Sequence, residues 1–178
     1  IISAENSIFR DNERDILLNP FCTYWFNHDL PYACIISDCQ FVTTDNFYPD
    51  YEPQAHIEMK DIYGVMIYGC KFENQSDAAN WFPIRGTGIS SIDSYFMVNK
   101  YCVTPSIPCD TFDICEFKQL EYGIKALNCT SIRTLNIKEI KFEKNLVGIS
   151  LSGIDYASVL SNEIKCVSSA MDIPESRF

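Results

Sequence analysis

Long apolar runs are missing from this 178-residue chain. No stretch approaches eighteen consecutive apolar residues, so no segment reads as a membrane-spanning helix. Basic runs are missing as well. Lys and Arg number 14 against 24 Asp and Glu, for a net charge of -10. Binding a phosphate backbone needs clustered cations, so nucleic acid is not an expected partner. Seven glycines and eight prolines are too few for a disordered or low-complexity chain. Leucine is sparse too, which weighs against a leucine-rich repeat, although Ile132, Leu135, Ile137 and Ile140 in IRTLNIKEIKF match that spacing locally. The two histidines, His28 and His56, join no Cys or Ser nucleophile pattern. His56 opens the alternating run HIEMKDIYG and reads as a structural residue.

Cysteine, by contrast, is plentiful. Nine is an odd number, so at least one is unpaired or bonds elsewhere. The spacings lack the close C-x2-C pairs of a zinc ribbon, and no metal ligand set is assigned. Cys102 and Cys109 bracket CVTPSIPC and are the first candidate for a disulfide; Cys22 and Cys34, around CTYWFNHDLPYAC, are the second. A bridge at either place implies an oxidising compartment, and the acidic balance suits a solvated extracellular protein.

What the chain has in abundance is repetition. In Phe142-x-x-Asn145-x-x-Gly148-Ile149-x-Leu151 a seven-residue step joins Phe142 to Ile149; the same step recurs in FKQLEYGI (Phe117 to Ile124) and FRDNERDI (Phe9 to Ile16), and CVSSAMDI carries it from Cys166 to Ile173. The segments IISDCQF, MIYGCKF, FDICEF, IKEIKF and SNEIKC align on their last residue. Two positions earlier stand Cys39, Cys70, Cys115, Ile140 and Ile164; three further back stand Ile36, Ile67, Phe112, Ile137 and Ser161. Anchors Phe117, Phe142 and Cys166 are 25 and 24 residues apart, and longer gaps separate the earlier ones. Within each unit apolar residues alternate, the period of a strand. The expected fold is therefore all-β: a parallel β-helix solenoid of about 24 residues per turn with loop insertions. Phe9, Phe41, Phe72, Phe117, Phe142 and Cys166 would form one internal ladder, and Cys39, Cys70, Cys115, Ile140 and Ile164 another, its thiols acting as small buried hydrophobes. Gly64, Gly88, Gly123 and Gly148 are expected at the corners. Asn12 and Asn145 suit turns that satisfy free backbone groups. The chain opens IISAENSIF, without a signal-peptide pattern. The repeat is under way at Phe9 and still running at Ile173, so residues 1–178 are expected to be a single segment internal to a longer chain.

Insertions interrupt the repeat and are expected to emerge on one side. Their aromatics, Trp25, Tyr48, Tyr51 and Trp81, suit stacking on sugar faces. Asp45, Asp50 and Glu52 suit accepting sugar hydroxyls or holding Ca2+, the one cofactor the composition brings to mind. No catalytic residue is assigned, because the acids show no spacing that defines a glycosidase pair. The sequons Asn74-Gln75-Ser76 and Asn128-Cys129-Thr130 matter only after synthesis in a eukaryotic secretory pathway.

AHIEMKDIYGVMIYGCKFENQ (55–75), RGTGISSID (85–93), FKQLEYGIKALN and FEKNLVGISLSG together resemble large secreted right-handed β-helix proteins of Bacteroidetes with the pectin-lyase-like fold. The resemblance covers nearly the whole chain. It implies a right-handed coil and export to the cell surface, often by the type IX route. It implies as partners other cell-surface or secretion-system proteins, or polysaccharide. Two functions are in view: a non-catalytic structural or adhesive module presenting loops, and a polysaccharide lyase or glycoside hydrolase. The Asn-Thr-Asp, Asp-Asp, Gly-His-Gly and Arg-Ile-Lys motifs of the related polygalacturonases are not found in the sequence.

Overall fold

The computed structural model describes residues 2–19, 34–47, 54–77, 85–104, 108–129 and 134–165. Among these every long strand is parallel to its neighbours, and there is no helix beyond a single 3-10 position. The first sheet holds β1 (Ile2–Glu5), β4 (Cys34–Ser37), β7 (Tyr63–Tyr68), β10 (Tyr95–Asn99), β15 (Thr134–Lys138) and β18 (Tyr156–Leu160). The second holds β2 (Ile8–Arg10), β5 (Gln40–Thr43), β8 (Lys71–Asn74), β13 (Glu116–Lys118), β16 (Lys141–Glu143) and β19 (Glu163–Lys165). The third holds β3 (Arg14–Leu18), β6 (Ala55–Lys60), β9 (Thr87–Ile92), β14 (Tyr122–Leu127) and β17 (Val147–Ser152). An antiparallel hairpin, β11 (Tyr101–Cys102) and β12 (Phe112–Asp113), stands apart. The chain visits the first, second and third sheets in strict rotation, so residues one pass apart become neighbours.

Alternation then decides what is inside. On the second sheet Phe9, Phe41, Phe72, Phe117 and Phe142 stand in register. Their rings stack at 4.9, 4.7, 4.5 and 5.2 Å between centroids. Such pairs contribute about 1 kcal/mol each beyond the area they bury. On the third sheet Ile16, Ile57, Ile89, Ile124 and Ile149 form a second column. On the first, Ile36, Ile67, Val98, Ile137 and Val159 form a third. The seven-residue step from Phe to Ile seen in sequence is the walk from the second sheet to the third.

Three expectations need correction. Val98, not Phe112, fills the column between Ile67 and Ile137. Phe112 belongs to the inserted hairpin, where it is 41% exposed. At the last pass Ile164, not Cys166, faces Phe142, so the spacing there is 22 residues; Cys166 lies outside the described residues. The glycines are the third case. Gly64 does take a left-handed φ of 77°, but Gly88, Gly123 and Gly148 lie inside strands, the first two for lack of room. A Cβ on Gly88 would sit 2.6 Å from the Phe117 ring, and one on Gly123 would sit 2.7 Å from the Phe142 ring and 2.6 Å from the Gly148 carbonyl oxygen.

Polar residues turn most of the corners instead. Asn6, Asp38, Gly69, Glu139 and Ser161 are left-handed between the first and second sheets. Asp11, Gln119 and Lys144 are so between the second and third, and Asp61, Asp93 and Gly153 between the third and first. Left-handed backbone is costly for a residue with a Cβ, least so for Asn and Asp. Here the backbone carries the inter-pass ladder round the bend: Asn6, Asp38, Gln119 and Asp93 each donate N–H to a carbonyl of the following pass, at 2.8–3.1 Å. Asn145 does the same work with its side chain, accepting from Leu120 N (3.0 Å) and donating to Phe117 O (2.8 Å). Asn12 instead donates to Asp15 Oδ1 at 2.7 Å.

The outer face of the second sheet is a checkerboard of charge. Lys71, Glu116, Lys141 and Glu163 follow one another across the strands, and beside them run Glu73, Lys118, Glu143 and Lys165. Lys118 pairs with Glu73, Lys141 with Glu143 (3.0 Å) and Lys165 with Glu163 (2.8 Å). The bond to Lys141 holds the Glu143 carboxyl below its usual range. Each exposed pair contributes little, about 0–1 kcal/mol. The alternation of sign across the strands opposes a two-residue slip, which would set like charges opposite one another and which the apolar alternation alone tolerates because its period is two.

The glycine fit is directly testable. Gly123→Ala is expected to destabilise the protein by about 1–3 kcal/mol, the range for overpacking. Gly148→Ala, where the added Cβ meets Phe142 no closer than 3.5 Å, is expected to cost less than about 1 kcal/mol. Chemical denaturation of the two variants checks this, and equal losses would refute the account.

Candidate interaction loops

Insertions leave the sheets at all three corners rather than on one side. Residues 20–33, with Trp25 and His28, join β3 to β4, from the third sheet to the first. The stretch carrying Tyr48, Asp50, Tyr51 and Glu52 joins β5 to β6, and the one carrying Trp81 joins β8 to β9; both run from the second sheet to the third, one pass apart. The topology therefore groups the Tyr48–Glu52 and Trp81 insertions at one corner and separates Trp25 from them. A local insertion leaves from whatever corner its strands define, and a change of pass does not change the corner. Trp25, Tyr48, Asp50, Tyr51, Glu52 and Trp81 themselves lie outside the described residues.

Asp45 is described, and its carboxylate is engaged: Oδ1 accepts the Asp77 backbone N–H at 2.7 Å, tying one insertion to the next. Asp11 repeats the device, accepting from Thr44 N (2.6 Å) and Thr44 Oγ1 (2.9 Å). Asp93 accepts from Cys129 N at 2.6 Å. In each case a carboxylate on one pass caps the start of an insertion on the following pass. Among the described residues no group of three or more His, Cys, Asp or Glu is placed to hold a metal ion.

The sequence left Asp15 unnoticed, yet its side chain is buried and lies 2.6 Å from His56 Nδ1. The two are 41 residues apart but one pass apart on the third sheet, in the column that carries Gly88, Gly123 and Gly148 on later passes. Where the column has no glycine, the imidazole leans on Phe41 and Phe72, each 6.1 Å away. Burying such a polar pair requires hydrogen bonding, and the Asp–His contact supplies it. Around it Arg14 contacts Gln54 and pairs with Glu58 (2.8 Å), while Gln54 donates to Glu13 Oε1 (2.5 Å). The signal for this cluster in the sequence is register, which sets Asp15 beside His56 once Ile16 is aligned with Ile57.

The cysteines fall into three groups. Cys102 and Cys109 are bridged. Cys39, Cys70 and Cys115 are buried free thiols whose sulfurs hydrogen-bond backbone carbonyls at the corner between the first and second sheets: Ser37 O, Tyr68 O and Asn99 O, each at 3.3 Å. Burial pushes the Cys115 thiol up to about 12. The neighbouring Cys70 thiol holds Cys39 down to about 7, while the neighbouring Cys39 and burial push the Cys70 thiol up. Cys34 and Cys129 are free, half-buried and exposed respectively; Cys22, the suggested mate of Cys34, lies outside the described residues. Asn74, the first sequon position, is fully buried, with its amide donating to Arg85 O (3.1 Å) and accepting from Ser76.

The hairpin is an insertion whose strands are described. It interrupts the corner between β10 and β13, and its Val103 N–H donates to Thr111 O at 3.0 Å. It sits hard against Gly69, where a Cβ would come within 2.6 Å of Tyr101 Cβ. Lys100 Nζ lies 3.9 Å above the Phe112 ring and 2.9 Å from Glu139 Oε1. Tyr101 (37%), Val103 (48%) and Phe112 (41%) stay exposed. Large apolar side chains on a disulfide-braced element lose little further freedom when a partner covers them.

No protein-family model matches the chain, and no curated protein or solved structure matches it. Among the described residues no helix is long and apolar enough to cross a membrane.

Two outcomes are expected. Reducing the disulfide should speed amide exchange across Tyr101–Asp113 while Tyr122–Leu127 keeps its protection; loss of protection in both would show that the hairpin is integral to the sheets. A thiol reagent applied to native protein should modify Cys129 readily and leave Cys39, Cys70 and Cys115 untouched until denaturant is added, as read by peptide mass.

Proposed function

We propose that this chain is a segment of a right-handed parallel β-helix belonging to a secreted or cell-surface protein, and that it serves as a stiff, non-catalytic module presenting loops to a partner. The observation carrying this reading is the braced hairpin, whose Tyr101, Val103 and Phe112 are held outward on a base of stacked strands. The rotation of strands through three parallel sheets supports the β-helix assignment. The disulfide supports an oxidising, extracellular setting. The engagement of Asp11, Asp45 and Asp93 as caps supports a structural role for these corner acids. The resemblance to type IX cargo of Bacteroidetes is in keeping with a partner at the cell surface, either protein or polysaccharide.

The test uses the intact protein against immobilised acidic and neutral polysaccharides and against fixed cells of its source. Binding is expected without release of unsaturated products or reducing ends. The double variant Tyr101→Ser/Phe112→Ser is expected to weaken binding about tenfold or more, as removal of aromatic anchors does, with an unchanged melting temperature. Turnover of any polysaccharide would replace the module reading with a lyase or hydrolase. Binding indifferent to the double variant would move the contact surface away from the hairpin.

A further inference from the structure

Arg85 presents an electrostatic problem that the described fold leaves unsolved. It is only 5% exposed and stands two residues before β9, in register with Leu120 before β14 and Asn145 before β17. Its Nη1 donates to the Lys144 carbonyl oxygen, two passes away, at 3.1 Å. Its Nε is buried with no hydrogen-bond partner. No ion pair between described residues includes it, and the adjoining stretch 78–84 contains no acidic residue. Among the described residues, carboxylates at the same corner are in use: Asp11 on Thr44, Asp45 on Asp77, Glu73 on Lys118 and Glu143 on Lys141; Asp50 and Glu52, in the insertion between β5 and β6, lie outside them. Burial alone lowers the Arg85 pKa, which is what a guanidinium without a countercharge shows.

A buried charge is ordinarily paired, and an orphaned buried donor calls for a cause. With Nη1 committed to Lys144, the edge formed by Nε and Nη2 is left over. That edge is the planar fork that receives a carboxylate or sulfate through two parallel hydrogen bonds. The neighbouring amides do not compete for such a ligand, since Asn74 and Asn145 are satisfied internally. We propose that Arg85 is the cationic half of an oxyanion-binding site at the corner between the second and third sheets, taking a carboxylate or sulfate group on its Nε–Nη2 edge.

The ligand group has two possible sources, a free small anion and the acidic group of a glycan. The intact protein is titrated with potassium acetate, potassium sulfate and a uronate oligosaccharide, each against potassium chloride at matched ionic strength. The melting temperature and the Arg85 Nε–Hε NMR resonance are followed. A saturable rise in melting temperature with a shift of that resonance is expected, because a ligand bound only by the native state stabilises it. Saturation by the oligosaccharide at lower carboxylate concentration than acetate assigns the glycan; equal potency assigns the free anion. Arg85→Met should abolish the anion-specific rise. Without added anion it should be no less stable than the parent, since an uncompensated buried charge has been replaced by an apolar chain. A resonance indifferent to all three anions would overturn the proposal even if the variant failed to fold, and so would an equal thermal rise in Arg85→Met.

Discussion

The stack of five phenylalanine rings sets the terms for the rest of the structure. Rings held at 4.5–5.2 Å in register fix both the spacing and the alignment of the second sheet. They also fill the space above the third sheet, which is why Gly88 and Gly123 have no side chain there. On the earlier passes Asp15 and His56 hold that column, and the polar pair needs its own hydrogen bond to be tolerated beside Phe41 and Phe72.

Because each pass touches mainly the passes before and after it, energy is arranged along one direction. Insertions can then be lengthened at a corner without disturbing the columns, provided their first residues are anchored. Asp11, Asp45 and Asp93 provide that anchorage with carboxylates. Asp45, which in sequence looks like a ligand for sugar or Ca2+, thus has a carboxylate oxygen engaged by the Asp77 backbone N–H. The hairpin differs in being anchored covalently and by contact with Gly69, leaving its aromatic residues exposed. Arg85 differs again, since its charge has no assigned counterpart among the described residues.

Much of this was legible from residue type and period. Alternation gave the strands, and the recurrence of Phe and Ile gave two of the columns. The errors arose where a short pattern had more than one possible alignment. Choosing Cys166 over Ile164 opposite Phe142 would have set Lys165 against Lys141; the charge checkerboard favours the register that is found. The hairpin between β10 and β13 carries Phe112 out of the repeat while preserving its local spelling. Glycine's conformational freedom points to corners, whereas for Gly88 and Gly123 the cause is a ring from the next pass, invisible without register.

By itself the sequence determined the all-β character, the in-and-out alternation and the presence of a repeat, because these depend on side-chain polarity at spacings of two residues and of one pass. Tertiary structure decided which residues of different passes meet: Asp15 with His56, Asp45 with Asp77, Arg85 with Lys144. Such partners lie 32 to 59 residues apart in sequence. Their meeting depends on the length of every insertion between them, and local pattern carries no record of that sum.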